Sequence, residues 1–182
     1  MVKKKLLTLA AVIGILACGA CFFGPLPERQ PPPPPIHNGL DGVHSIRVEV
    51  ANASPSHHLD SAALARKIVE TINEQSWKLK INAQVGKEAG GEEAVLEVTV
   101  LSESVEGVTH SGSGLVKFLI GDSAALRKRD GALIWSETNV TSSVERKMVE
   151  ENPEDAWKKP ELVDGVFKAV SIRLVNRMAN AR

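Results

Sequence analysis

The chain has 182 residues, with 22 basic and 22 acidic side chains, two cysteines, no tyrosine and an aromatic content of 4%. This length is sufficient for one domain with its own hydrophobic core. A formal net charge of zero offers no broad basic surface to phosphate backbones, so we expect no nucleic-acid partner.

The first 17 residues have the pattern of an export signal. Three lysines at positions 3–5 precede a 12-residue apolar run, Leu6–Ala17, which has the length of a signal-peptide core. The tetrapeptide Ile15-Leu16-Ala17-Cys18 then resembles a bacterial lipobox. The resemblance implies that residues 1–17 are removed as a signal peptide and that Cys18 is lipidated. Loss of the three lysines leaves a mature chain with a formal charge of about −3.

Two other fates of this segment stay open. The uncharged run continues to Gly24, which approaches the roughly 18 residues of an uncleaved transmembrane helix, and an ordinary signal peptidase could also cut the chain. In each case the positive-inside rule exports the rest of the chain. Gly19 after the lipobox cysteine, by analogy with enterobacterial sorting, favours the outer membrane with the domain facing the periplasm. Cys21 is predicted to be a spare thiol.

Residues 18–42 are predicted to be the lipidated N-terminus and a linker. Pro31–Pro35 favour a polyproline II rod of about 15 Å, which acts as a semi-rigid spacer. The turn dipeptides Asn38-Gly39 and Asp41-Gly42 close the linker, so residues 43–182 form the domain.

The first half of the domain alternates between strand and helix patterns. Strict alternation predicts a strand over Ile46–Val50, and a loop follows over Asn52–His58. Asp60 is the predicted N-cap of an amphipathic helix that ends near Gln75. A second strand is expected over Leu79–Val85.

The second half is predicted to be three strands and a helix. Alternation indicates strands over Ala94–Val105 and Leu115–Leu126. Asp130-Gly131 predicts a two-residue hairpin turn with positive φ at both positions, followed by a strand from Leu133. Pro160 opens a helix with one apolar stripe: Leu162, Val166, Val170, Leu174 and Met178. The predicted fold is α+β, in the order β-α-β-β-β-β-α, with two helices packed on one face of a mixed sheet.

Three segments resemble the lipopolysaccharide-assembly lipoprotein of the outer-membrane translocon. They are Ile46–Asn52, Glu93–Val98 and Arg129–Trp135, within a resemblance that covers about residues 43–180. The resemblance implies a partner that is a large outer-membrane β-barrel and a role in delivering lipopolysaccharide to the outer leaflet. Accessory lipoproteins of other envelope exporters and of lipid transporters share this layout, so they remain an alternative.

No segment has the pattern of a catalytic or metal site. His110–Gly114 lacks the glycine spacing of a nucleophile elbow, and Gly86–Gly91 lacks the ending of a phosphate loop. His57-His58 could meet His44 or His110, but adjacent histidines on an extended chain point in different directions. We therefore expect no catalytic residue, no metal and no cofactor. A domain that binds a small ligand or an acyl chain between sheet and helices remains possible, as does a hydrolase.

Partner binding is predicted on the sheet face or strand ends away from the helices, because both helices must bury their apolar stripes. The candidate residues for a partner or for lipopolysaccharide are Arg127, Lys128 and Arg129, the densest cationic cluster of the mature chain. Polar strand positions join them: Arg47, Glu49, Glu97, Thr99 and Lys117.

Overall fold

Alternating apolar residues build a five-stranded mixed sheet at the centre of the domain. The computed structural model describes residues 40, 42–86, 92–110, 113–147 and 153–180. The strands follow one another across the sheet in the order β2-β1-β3-β4-β5. Their bounds are Ser45–Asn52 (β1), Asn82–Val85 (β2), Ala94–His110 (β3), Ser113–Lys128 (β4) and Leu133–Lys147 (β5).

The strand directions bring several chain segments to one end of the sheet. β1 runs parallel to β2 and β3, with Ser45 opposite Asn82 and Ile46 opposite Ala94. β3, β4 and β5 form an antiparallel meander, in which Ala94 is opposite Lys128. The beginning of β1 therefore lies at the same end of the sheet as the β4–β5 turn.

The two long helices cover one face of the sheet, as predicted. Helix α1 (Ser61–Glu74) lies over β1 and β2, and helix α3 (Pro160–Asn180) lies over β4 and β5. Asp60 caps α1, because its Oδ1 accepts hydrogen bonds from the amides of Ala62 (2.8 Å) and Ala63 (3.2 Å). The helices bury hydrophobic residues in the core: Leu64, Ala65, Ile68 and Ile72 from α1, and Val166, Phe167, Val170, Leu174, Val175 and Met178 from α3.

The predicted second strand is too long by three residues. Ser76–Leu79 form a short helix, α2, and Lys80 has a φ of 51°, so β2 begins only at Asn82. Leu79 and Ile81 are both buried. Two buried residues that are two positions apart give the same pattern as a strand, but Leu79 belongs to the helical turn of α2.

The third and fourth strands are longer than predicted. β3 continues to His110 and β4 begins at Ser113, and their register shifts between Val100 and Ser102. The last residues of β3 show no apolar alternation, so the sequence does not predict them as a strand. Backbone pairing with β4 keeps them extended. A short 3₁₀ helix, Pro153–Lys158, packs on this extension of β3. None of the described helices is long and apolar enough to span a membrane.

Candidate partner-binding surface

The β4–β5 hairpin carries the predicted cationic residues. Its loop is closed by hydrogen bonds from the amide of Lys128 to the carbonyl of Ala132 (2.8 Å) and from the amide of Gly131 to the carbonyl of Lys128 (2.9 Å). Gly131 has a φ of 86°, but Asp130 has no positive φ, so the expected two-residue turn is wrong. The geometry is that of a three-residue loop, in which a tight turn is followed by glycine in the left-handed region.

Arg127, Lys128 and Arg129 line one depression of about 220 Å³ at the hairpin. The guanidinium of Arg127 lies 3.5 Å from a carboxylate oxygen of Glu97 on β3. Glu92 also lines the depression, 4.0 Å from the guanidinium of Arg47. The structure thus brings the three predicted cations together, but with acidic neighbours that partly neutralise them. We call Arg127, Lys128 and Arg129 the basic tip.

The sheet face opposite the helices bears the other predicted polar residues. Register places Glu49 beside Glu97, and Thr99 beside Ser123, on the side of the sheet that α1 and α3 do not cover. Arg47 forms an ion pair with Glu49 along β1 (2.9 Å). Lys117 belongs to the same face on the extension of β4. Their role in binding stays a prediction.

The basic tip is joined to the start of β1 by a chain of hydrogen bonds. The amide of Arg129 donates to the carbonyl of Glu93 (2.9 Å), and the amide of Glu93 donates to the carbonyl of Ser45 (3.1 Å). The Glu93 carboxylate accepts hydrogen bonds from the amides of His44 and Ser45, and the first of these lowers the pKa of Glu93 most. This network fixes the tip against the point at which the chain enters the domain.

A groove between the helices is a second candidate site, which the sequence reasoning missed. It has a volume of about 470 Å³ and lies between the N-terminal parts of α1 and α3. Trp157 forms part of its wall, stacked on His58 with ring centroids 6.1 Å apart and in edge contact with Phe118. No sequence signal connects His58 with Trp157, which are 99 positions apart. The remaining lining residues are Asp60, Ala63, Arg66, Lys67, Glu70, Pro160, Val163, Asp164 and Phe167.

One ion pair joins the two helices at the rim of the groove, and a second lies within α1. Lys67 Nζ lies 2.8 Å from Asp164 Oδ1 and 2.7 Å from Glu70 Oε2. The hydrogen bond to Asp164, and then that to Glu70, raises the pKa of Lys67 above its ordinary value. His58 lies 3.6 Å from a carboxylate oxygen of Glu154, a contact that becomes an ion pair when the imidazole is protonated.

A second charge cluster lies between α3 and the sheet. Asp122 is fully buried and accepts hydrogen bonds of 2.6 and 2.9 Å from the guanidinium of Arg173. Arg173 also lies 3.1 Å from Glu137, which pairs with Arg177 at 3.3 Å. Burial raises the pKa of the Asp122 carboxyl, and the charge of Arg173 opposes that rise. This cluster ties α3 to β4 and β5.

The lipidation site and the histidines are the remaining candidates from the sequence. Cys18, the predicted lipidation site, lies outside the described residues. His57 and His58 are exposed in the loop after β1, and among the described residues no three His, Cys, Asp or Glu side chains are grouped to hold a metal ion.

Sequence comparison gives no family for this chain. No family model matches it, and no curated protein matches it. Solved structures that the chain matches include the minor lipoprotein from Acinetobacter baumannii, which is 9% identical with a TM-score of 0.45. That alignment covers 76% of this chain and 92% of the other.

Two further structures show the same level of similarity. The PelC dodecamer from Paraburkholderia phytofirmans is 17% identical, with a TM-score of 0.45 and coverage of 78% and 90% of the two chains. A Xanthomonas campestris protein is 13% identical, with a TM-score of 0.49 and coverage of 84% and 90%. At these sequence identities and TM-scores, no function can be transferred from the matched structures to this chain.

Proposed function

We propose that the chain is a non-enzymatic outer-membrane lipoprotein, anchored through Cys18, whose domain faces the periplasm and binds an outer-membrane β-barrel. In this proposal it assists the assembly of lipopolysaccharide. The anchor is supported by the lysine cluster, the apolar run and the lipobox of residues 1–18. The β-barrel and lipopolysaccharide are supported by the resemblance of Ile46–Asn52, Glu93–Val98 and Arg129–Trp135 to the assembly lipoprotein.

The observation that carries the proposal is the position of the basic tip. Leu40, the first described residue, is buried, and its carbonyl accepts a hydrogen bond from the amide of Val43 just before β1. Leu40 and Val43 therefore lie at the end of the sheet that also carries the tip. In this proposal the chain between the anchor at Cys18 and the domain joins the domain at this end.

Two buried carboxylates that could be taken for catalytic groups have structural partners. Glu103 accepts hydrogen bonds from backbone amides of the loop after β1, and Asp122 is held by Arg173. Glu103 thus holds the loop after β1 in place, and Asp122 holds α3 against the sheet.

Charge reversal at the basic tip tests the proposal. The triple variant Arg127→Glu, Lys128→Glu, Arg129→Glu should fold normally and should recover less β-barrel protein when the lipoprotein is purified in mild detergent. Because exposed charges act chiefly on association, the on-rate should fall by roughly tenfold or more at low salt, with a smaller effect at high salt.

A matched control changes three exposed lysines elsewhere. Lys147→Glu, Lys158→Glu and Lys168→Glu give the same change in net charge away from the tip and should leave the recovery of the barrel unchanged. Equal losses in both triple variants would show that only net charge matters. Mass spectrometry of the co-purified proteins distinguishes a lipopolysaccharide barrel from a subunit of another envelope exporter.

Ligand binding in the groove between α1 and α3 is a second candidate function. Its volume of about 470 Å³ lies within the usual range of small-molecule sites, and Trp157, Val163 and Phe167 offer apolar contacts. The wild-type protein is purified and then denatured to release any bound small molecule. A molecule that is released from wild type but not from a Val163→Trp variant would support this function. Recovery of the same molecule from both proteins would argue against the groove.

A further inference from the structure

An exposed tryptophan on helix α2 is followed in the chain by two exposed lysines. Trp77 is 79% exposed, the largest exposure among the large hydrophobic residues that the structure describes. Lys78 and Lys80 are exposed on either side of Leu79, which is buried in the core. α2 is therefore held firmly to the domain while its aromatic side chain projects outward.

The position of α2 relates this tryptophan to the anchor. The amide of Asn82, two residues after Lys80, donates to the carbonyl of His44 (2.9 Å). His44 lies four residues after Leu40, where the linker reaches the domain. Trp77 thus belongs to the same end of the domain as the entry point of the chain that leads back to Cys18.

Three cations are exposed at this end of the domain: Lys78, Lys80 and Arg129. The carboxylates of Glu93 and Asp130 accept hydrogen bonds from backbone amides of the domain. The Glu92 carboxylate is buried and accepts a hydrogen bond from Gln84. Glu74, at the end of α1, is an exposed acidic neighbour of the lysines.

We infer that Trp77, with Lys78 and Lys80, forms a second membrane contact that seats the domain on an anionic lipid surface. Tryptophan partitions to the level of the lipid headgroups, because its ring is apolar and its N–H group needs a polar partner. Lysine stems lie along the apolar boundary while their ammonium groups bind lipid phosphates. The inference rests on the proposed lipid anchor, since one lipidated cysteine holds the chain at the bilayer but does not orient the domain.

Quenching by brominated lipid tests this contact. The processed, full-length lipoprotein is reconstituted in protein-free vesicles of brominated phosphatidylcholine mixed with phosphatidylglycerol. Its tryptophan fluorescence should fall by roughly a third, because Trp77 is one of three tryptophans in the chain and the one placed at the bilayer. In Trp77→Phe this quenching should disappear, and the exposure of Trp77 means that the variant should still fold.

Charge variants test the lipid preference. Lys78→Glu with Lys80→Glu should reduce the quenching, whereas the control pair Lys147→Glu with Lys168→Glu should not. Equal quenching of wild type and Trp77→Phe, or equal quenching with and without phosphatidylglycerol, would overturn the inference. Flotation of the protein with the vesicles measures the lipid anchor separately from the Trp77 contact. Protein that floats but shows no quenching of Trp77 would refute the contact alone. Protein that carries no acyl chain would refute the anchor.

Discussion

At the scale of single residues, buried carboxylates organise the loops around the sheet. Glu103 is 7% exposed and accepts hydrogen bonds from the amides of His58 (2.8 Å) and Leu59 (3.1 Å). Its other oxygen accepts one from Asn52 Nδ2 (2.6 Å), and Asn52 Oδ1 accepts one from the amide of Ser54 (2.9 Å). Asn52, the last residue of the segment Ile46–Asn52 that resembles the assembly lipoprotein, thus has a structural role in this domain.

Glu103→Ala should destabilise the domain. The substitution leaves two amides and one side-chain N–H group without their acceptor, at a cost of about 1–3 kcal/mol in the free energy of unfolding for each group that water does not reach. Glu103→Gln keeps one acceptor oxygen and should cost less. Denaturant unfolding measures both, with exposed Glu106→Ala as the control; equal stabilities of the Glu103→Ala and Glu106→Ala variants would contradict the assigned role.

Asp122 predicts an unusual pH dependence. Burial raises its pKa in the folded state above the ordinary value of 3.8, so the folded protein binds this proton more readily than the unfolded chain. The contribution of this group to stability is therefore greatest at low pH, and it declines as pH rises from about 3.8 through the folded pKa. Wild type should gain stability relative to Asp122→Asn as pH falls through this interval. A difference that is constant with pH would contradict the raised pKa.

At the scale of secondary-structure elements, the ends of helices and strands are set by specific residues. Asp60 begins α1 through its cap, and Lys80 ends α2 in the left-handed region. Leu101 lies at the bulge where the register of β3 and β4 shifts. The bulge keeps Val100 and Glu103 on the helix-covered side, so the sheet continues past β1 without losing its buried face.

Gly131→Val should weaken the β4–β5 hairpin. Nothing lies within 4 Å of a Cβ atom built at Gly131, so the cost comes from the φ of 86° and not from a clash. A β-branched residue in this conformation costs on the order of 1–3 kcal/mol. The melting temperature should fall, whereas the neighbouring exposed substitution Ala132→Val should leave it nearly unchanged. An unaltered melting temperature in Gly131→Val would contradict the turn geometry.

At the scale of the whole molecule, the proposed function depends on which features of the domain share one end. The parallel pairing of β1 with β2 and β3 gathers three features at one end: the entry of the chain at Leu40, helix α2 and the basic tip. The groove with Trp157 instead lies along the N-terminal parts of α1 and α3. The proposed membrane and partner contacts therefore belong to one end of the domain.

Cys18→Ala should abolish lipidation of the whole molecule. The variant should accumulate as an unprocessed precursor in the inner membrane and should incorporate no labelled fatty acid, because the thiol that we propose receives the lipid is missing. Cys21→Ala is the matched control and should be processed and labelled as wild type. Fatty-acid label that persists in Cys18→Ala would refute the lipoprotein assignment.

Several features of this protein follow from the sequence alone. The alternation in β1, the cap at Asp60 and the stripe of α3 predict the α+β order, because they depend on residues close together in the chain. The cationic run Arg127–Arg129 and the positive φ of Gly131 are local features of the same kind. The length of β3 was not predicted, since backbone pairing with β4 and not apolar alternation extends it.

Only the tertiary structure decides which distant residues meet. The groove joins His58 to Trp157, the buried charge cluster joins Asp122 to Arg173, and the strand directions place Trp77 at the end of the sheet where β1 begins. None of these pairings leaves a local pattern in the sequence. They follow from strand register and helix packing, which are set by burial of the whole core and place residues many positions apart within contact distance.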